Sequence, residues 1–113
     1  MSERDHQLLL EDMLESAQKI IRYTINLDFE MFLNDEKTLD AVIRNFEIIG
    51  EAANRIDPDF RAKYPEIEWK RIREFQNRIV HNYFGIDFDI VWSIIKNDID
   101  ELIYQLDILV RKK

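Results

Sequence analysis

The sequence predicts an all-α fold, an antiparallel up-and-down bundle of four long helices with short helical turns between them. Two observations carry this expectation. Apolar residues recur at three- and four-residue spacing along almost the whole chain, the period of a helix with one buried face. Two glycines and two prolines interrupt 113 residues, too few for a chain built of turns and strands.

Taken in order, the first helix is predicted to start at Ser2, a good N-cap, with Asp5 three residues on. Its stripe is Leu10, Met13, Leu14, Ala17, Ile20, Ile21 and Thr24. A short helical turn over residues 28–33 follows, and Asn34 or Asp35 caps the second long helix. That helix buries Leu39, Val42, Ile43, Phe46, Ile49, Ala53 and Ile56. Pro58 lacks an N–H and disfavours helix at Asp57, so the helix ends there.

Residues 59–63 make one more turn before Pro65. The third long helix is predicted to start between Glu66 and Trp69 and to end near Tyr83, with Gly85 as its C-terminal stop. Asp87 then caps a long last helix striped by Val91, Ile94, Ile95, Ile99, Leu102, Leu106 and Leu109. Arg111, Lys112 and Lys113 complement its negative end. Short connections make such helices antiparallel neighbours. Without repeats, low-complexity segments or linkers, residues 1–113 are expected to form one domain.

Composition excludes several functions. The absence of cysteine rules out disulfides, a thiolate zinc site and a cysteine nucleophile. The longest apolar runs fall far short of the roughly 20 residues that span a bilayer, and no apolar signal segment follows Met1. A soluble, cytoplasmic protein without membrane association is expected. No cofactor is expected either. Asp87 and Asp89, or Asp98 and Asp100, stand two apart, face different ways on a helix and have no histidine beside them, so they read as solvated acids and not as a metal site.

A net charge of −7 argues against general nucleic-acid coating. The charge is uneven, however. Residues 60–86 carry Arg61, Lys63, Lys70, Arg71, Arg73 and Arg78 against Glu66, Glu68 and Glu74, a local +3 that leaves −10 elsewhere. Such a patch on an acidic body meets RNA or a nucleotide at one place.

The same segment holds the candidate site. On a helix over residues 69–83, Glu74, Asn77, Arg78 and His81 fall at i, i+3, i+4 and i+7, one polar stripe beside apolar Ile72, Phe75, Ile79 and Tyr83. The bland alternative is a surface Glu74–Arg78 pair worth about 0.3–0.5 kcal/mol, a partly exposed His81 bonded to a carbonyl, and Tyr83 as a capping aromatic. The functional alternative starts from His81, whose ordinary pKa near 6.5 allows proton transfer at neutral pH; His6 is the one other histidine. Metal-free RNA cleavage needs a base for the 2′-hydroxyl proton and a cation for the crowded phosphorane. Imidazole and guanidinium supply both, and proton transfer contributes ~10²–10⁴-fold.

Gly50, inside a helix, costs about 1 kcal/mol relative to Ala, so a close approach is expected there. Glu51 lines a cleft or is solvated. Arg44 pairs near that glutamate or with a chain-end carboxylate. Trp69 and Trp92 read as core or interface anchors rather than base-stacking platforms.

Gln-Asn-Arg-Ile-Val-His-Asn-Tyr-Phe-Gly-Ile-Asp (76–87) resembles the R-N-x-x-V-H-x-Y-F signature of HepT-type HEPN proteins. Residues 40–53, Asp-Ala-Val-Ile-Arg-Asn-Phe-Glu-Ile-Ile-Gly-Glu-Ala-Ala, are similar to the family's R-x-x-x-I-I-G-E-A helix, and Tyr-Pro-Glu-Ile-Glu-Trp (64–69) resembles the approach to its motif. The resemblance spans nearly the whole chain. It implies a HEPN-like bundle that forms homodimers, with motif residues of both subunits facing a shared cleft. It further implies a toxin ribonuclease of a toxin–antitoxin pair, acting on RNA such as tRNA. Its partner would be a minimal nucleotidyltransferase antitoxin that adds AMP to the motif tyrosine and silences the toxin.

Carried over by position, His81 matches the catalytic histidine, Tyr83 the modified tyrosine and Asn77 the polar neighbour of the arginine. The resemblance also tips Glu51 toward the cleft. The family arginine itself falls on Gln76, which keeps length and two N–H donors but loses the permanent charge and the fork suited to phosphate. On a straight helix Arg78 lies about 200° away from that position and Arg73 roughly 60° away, one turn earlier. Arg73, Arg78 or a basic residue of the second subunit is left to supply the charge. The alternative is a non-catalytic helical module that docks a nucleotidyltransferase or a nucleotide without turnover.

Overall fold

Ser2 opens the longest helix as the sequence predicts. Its Oγ accepts from the Asp5 amide at 3.1 Å, and the Asp5 carboxylate accepts from the Ser2 amide at 3.3 Å, closing a capping box at the head of α1 (Glu3–Thr24). The structure, a computed structural model, describes residues 2–81 and 85–112, with Gln76 and His81 described as backbone alone. Asp28 caps the short α2 (Phe29–Leu33) by accepting from the Met31 amide at 2.8 Å. Asp35 caps α3 (Glu36–Arg55) through both the amide and the hydroxyl of Thr38, at 3.1 and 2.8 Å. Hydrogen bonding to Thr38 holds the Asp35 carboxyl below its ordinary pKa, as bonding to Ser2 does for Asp5.

Ile56 leaves α3 in an extended conformation, Asp57 stays out of the helical region as the proline after it demands, and Pro58 starts α4 (Pro58–Ala62). Then come α5 (Trp69–Arg73), α6 (Phe75–Ile79), a hairpin of β1 (Val80–His81) and β2 (Gly85–Ile86), and α7 (Phe88–Asn97). The last is α8 (Ile99–Arg111).

Helix α1 packs against both α3 and α8, and Gln7 near its head donates to the Val110 carbonyl near the tail of α8, so α1 and α8 run antiparallel. Met13, Ala17, Ile20, Val42, Ile49, Ala53, Ile99 and Leu106 meet between them with no exposed surface. A second centre forms where Phe32 packs on Trp92 and Phe88, at 4.9 and 6.2 Å between ring centroids. Trp92 is thus an anchor of the bundle, and Trp69, 7% exposed, is another. No helix among the described residues is long and apolar enough to cross a membrane.

Three expectations are corrected. The third helix is not continuous to Tyr83: it breaks at Glu74 (φ −97°, ψ 6°) and ends at Ile79. Its halves have different partners, since Arg73 bonds to α3 while Arg78 faces the start of α8. Gly85 is not a helix stop. Val80 pairs with Ile86 and His81 with Gly85 in an antiparallel ladder, and Gly85 takes φ +79°, which a glycine adopts without strain. The last helix is also two, parted at Asp98, whose carboxylate is held from outside the helix by Arg71 at 2.9 Å.

Gly50 does mark a close approach, between α3 and α5. A methyl added there would meet the carbonyl oxygens of Ile72 and Arg73 at 3.7 and 4.0 Å, ordinary contact distances. The position therefore accommodates glycine without requiring it.

Candidate functional site

The segment from α5 to β2 is fastened by its apolar residues. Trp69, Ile72, Phe75 and Ile79 are all buried, the Trp69 Nε1–H donates to the Tyr64 carbonyl at 3.0 Å, and Phe75 meets Phe46 of α3 edge to face at 5.3 Å. With that side buried, Lys70, Arg73 and Asn77 are exposed.

These three side chains share an open groove with Asn54, from the last turn of α3, and with Glu74. The Arg73 Nε–H donates to Asn54 Oδ1 at 2.8 Å, which fixes the guanidinium against the end of α3 and leaves its Nη groups outside that bond. Arg61 lies nearby and donates to the Ala53 carbonyl at 2.9 Å, satisfying a carbonyl in the last turn of α3. Burial lowers the Arg61 pKa, and the Arg73 charge lowers it further, with Asp57 working in the opposite direction. A guanidinium remains protonated under such a shift, so two cations stand side by side.

The other side of the segment is built differently. Asp98, at the break between α7 and α8, lies 2.9 Å from Arg71 Nη2 and 3.9 Å from Arg78 Nη1. Arg71 also lies 3.7 Å from Glu68, and the Arg78 guanidinium sits 5.9 Å from the centre of the Phe75 ring. A cavity of about 140 Å³ opens beside this cluster, lined by Glu68, Arg71, Phe75, Asp98, Glu101 and Gln105 among others. Asp98 is therefore a partner of arginines and not the solvated acid the sequence suggests, and Arg78 turns to Asp98 rather than to Glu74.

The remaining expected site residues lie elsewhere. Arg44 pairs with Glu47 at 3.6 Å and is well exposed, ten residues or about 15 Å along α3 from Asn54. Glu51 is exposed on α3 and is not among the residues lining the groove. The backbone of Gln76 lies on α6 beside Asn77, and that of His81 on β1 opposite Gly85. Tyr83 lies outside the described residues. His6 is taken up in packing, stacked on Phe60 at 4.3 Å with Nε2 3.2 Å from Asp57. No group of three metal-ligating side chains occurs among the described residues.

Sequence reasoning passed over Asn54, counted Lys70 only as one charge of the basic patch, and read Asp98 as a solvated acid. The one local signal for Asn54 is a polar residue on the exposed side of the last turn of α3, next to the apolar stripe. For Asp98 there is none, because Arg71 approaches from 27 positions earlier in the chain.

Comparison with known proteins adds a family. The model of a family described as ribonuclease HepT-like matches residues 13–109. A candidate RNase of Methanocaldococcus jannaschii is 41% identical over 109 residues, covering 96% of this chain and all of the relative. A candidate ribonuclease HepT of Thermococcus cleftensis is 42% identical over 99 residues, 88% of this chain and 90% of that one. A candidate RNase of Caldanaerobacter subterraneus is 33% identical over 104 residues, 92% of this chain and 93% of the relative. No solved structure matches the chain.

Proposed function

The chain belongs to the HepT-like ribonuclease family, and on that premise we propose that it is a metal-independent endoribonuclease whose motif arginine has been replaced in function by Arg73. The observation that carries this reading is the division of the arginines. Arg73 shares a groove with Asn77 and is oriented there by Asn54, whereas Arg78 faces Asp98.

In this reading His81 takes the proton of a ribose 2′-hydroxyl, and the 2′-oxygen attacks the adjacent phosphorus. The bond to the 5′-oxygen breaks, that oxygen is protonated, and a cyclic phosphate remains on the other fragment. Asn77 donates to a non-bridging oxygen and positions the phosphate. Arg73 supplies the fixed positive charge that the phosphorane needs, and the Gln76 amide supplies donors without charge.

Pairing of two copies through the motif segment would bring two such sites to one cleft. Silencing by a nucleotidyltransferase belongs to the same reading. AMP on Tyr83, two residues from His81, would place a phosphate and a base where the substrate must bind. The chain is then the toxin of a toxin–antitoxin pair, acting in the cytoplasm on RNA such as tRNA.

One feature favours a second reading. Gln76 removes a charge that phosphoryl transfer uses, and a silent module that accepts AMP on Tyr83 would need neither that charge nor turnover. Cleavage of total tRNA in EDTA by the wild type, His81→Ala and Gln76→Arg separates the two. The nuclease reading expects cleavage by the wild type, a loss of ~10²-fold or more in His81→Ala, and a gain in Gln76→Arg. Cleavage by Gln76→Arg alone, or by none of the three, leaves the binding module.

A further inference from the structure

The positive charge of the groove extends beyond what one reacting phosphate requires. Lys70 and Arg73 sit one turn apart on α5, about 4.5 Å along its axis, and Arg61 stands behind Arg73. Among the described residues, neither Lys70 nor Arg73 has a carboxylate at ion-pair distance, whereas Arg71 and Arg78 of the same segment do. The chain as a whole carries −7, so carboxylates to neutralise these two are plentiful. The one acid lining the groove, Glu74, makes no ion pair with either of them. Two unneutralised cations beside two amides, on an acidic body, form a surface set for anions.

We propose that the groove of Asn54, Lys70, Arg73 and Asn77 seats two successive phosphates of a single RNA strand. The phosphate near Asn77 and Arg73 is the reacting one, and its neighbour binds Lys70. This assignment rests on the ribonuclease reading for its substrate class. It adds a direction to that reading, because the strand leaves the reacting centre along α5 toward Trp69. Single-stranded RNA suits such a row better than a duplex, since its backbone can follow five residues of helix without a fixed groove width. Asn54 acts as a positioning residue through its hydrogen bond to Arg73.

The test uses the intact protein and a fluorescent, uniformly 2′-O-methylated 12-nucleotide strand, which has no free 2′-hydroxyl to attack and so reports binding alone. Lys70→Gln is expected to weaken binding about 3- to 10-fold and to lower the slope of log affinity against log salt by about 1. Asn54→Asp, which turns the anchor of Arg73 into a neutralising carboxylate, should weaken it similarly, and Glu74→Gln should tighten it. Arg111→Gln makes the same change of charge on α8, at a residue that does not line the groove, and should leave the affinity in place.

An unchanged affinity and salt slope in Lys70→Gln would overturn the proposal, as would an equal loss in Arg111→Gln. Equal dependence on Lys70 with AMP as the probe would overturn the assignment to a strand. The two readings fail separately: a wild type that binds through Lys70 but does not cleave tRNA keeps the seat and loses the nuclease. One that cleaves through His81 with no role for Lys70 does the reverse.

Discussion

The frame of α1, α3 and α8 and the segment from α5 to β2 are built on different terms. The frame consists of helices of 22, 20 and 13 residues, each with an apolar stripe that disappears into a common core. The segment consists of two five-residue helices and a two-residue ladder, fastened by a few buried side chains and otherwise charged. Helices that short have little stability of their own. Their position depends on what lies beneath them, and the chemistry they carry depends on partners distant in sequence. Local periodicity builds the support, and tertiary contact arranges the site.

The contact between the two regions should carry the largest effect. Phe46→Ala removes the fully buried ring that meets Phe75, and it is expected to cost about 3–5 kcal/mol in urea unfolding. A loss below 1 kcal/mol would mean that the segment is not supported from α3. Asp98→Ala should be milder, about 1 kcal/mol, because its partners are partly exposed and water screens them. RNA affinity should stay within about twofold in that variant, because Asp98 and its arginine partners do not line the groove. A large change in affinity would instead make the two sides of the segment one site.

Gly50→Ala should act in the opposite direction. The added methyl finds ordinary contact with α5, and alanine favours helix, so a gain of up to about 1 kcal/mol is expected in thermal unfolding. Destabilisation there would show that α3 and α5 pack more closely than their carbonyl distances indicate.

The smallest effect belongs to the caps of the frame. Asp5 and Asp35 have lowered folded pKa values, so the unfolded chain takes up their protons first on acidification. The stability they lend is complete above about pH 5 and is lost as pH falls through the ordinary carboxylate value near 4 and then through the lower folded one. Asp35→Asn should therefore flatten the acid limb of a Tm-against-pH curve while leaving its neutral plateau nearly level.

The contrast also explains what was legible in the sequence. The caps Ser2, Asp35 and Asp87, and the end of α3 before Pro58, depend on neighbours within four residues, so spacing reveals them. The hairpin was hidden, because a glycine with positive φ ends helices as readily as it turns strands, and the apolar positions of residues 72–79 fit a helix that stops early as well as one that continues. The break at Asp98 was hidden for another reason, since its arginine partners come from α5 and α6. The residues of the motif could be named from resemblance. Their sorting into a groove with Asn54 and a cluster with Asp98 needed the fold.

That sorting is the central claim, and cleavage by Arg73→Gln and Arg78→Gln, measured side by side on the same RNA in EDTA, tests it most directly. The account predicts a loss of about 10²-fold or more in Arg73→Gln, the scale of removing one charge-stabilising group from a transition state, and a change of no more than about threefold in Arg78→Gln. The reverse order, or equal losses in both, would contradict it.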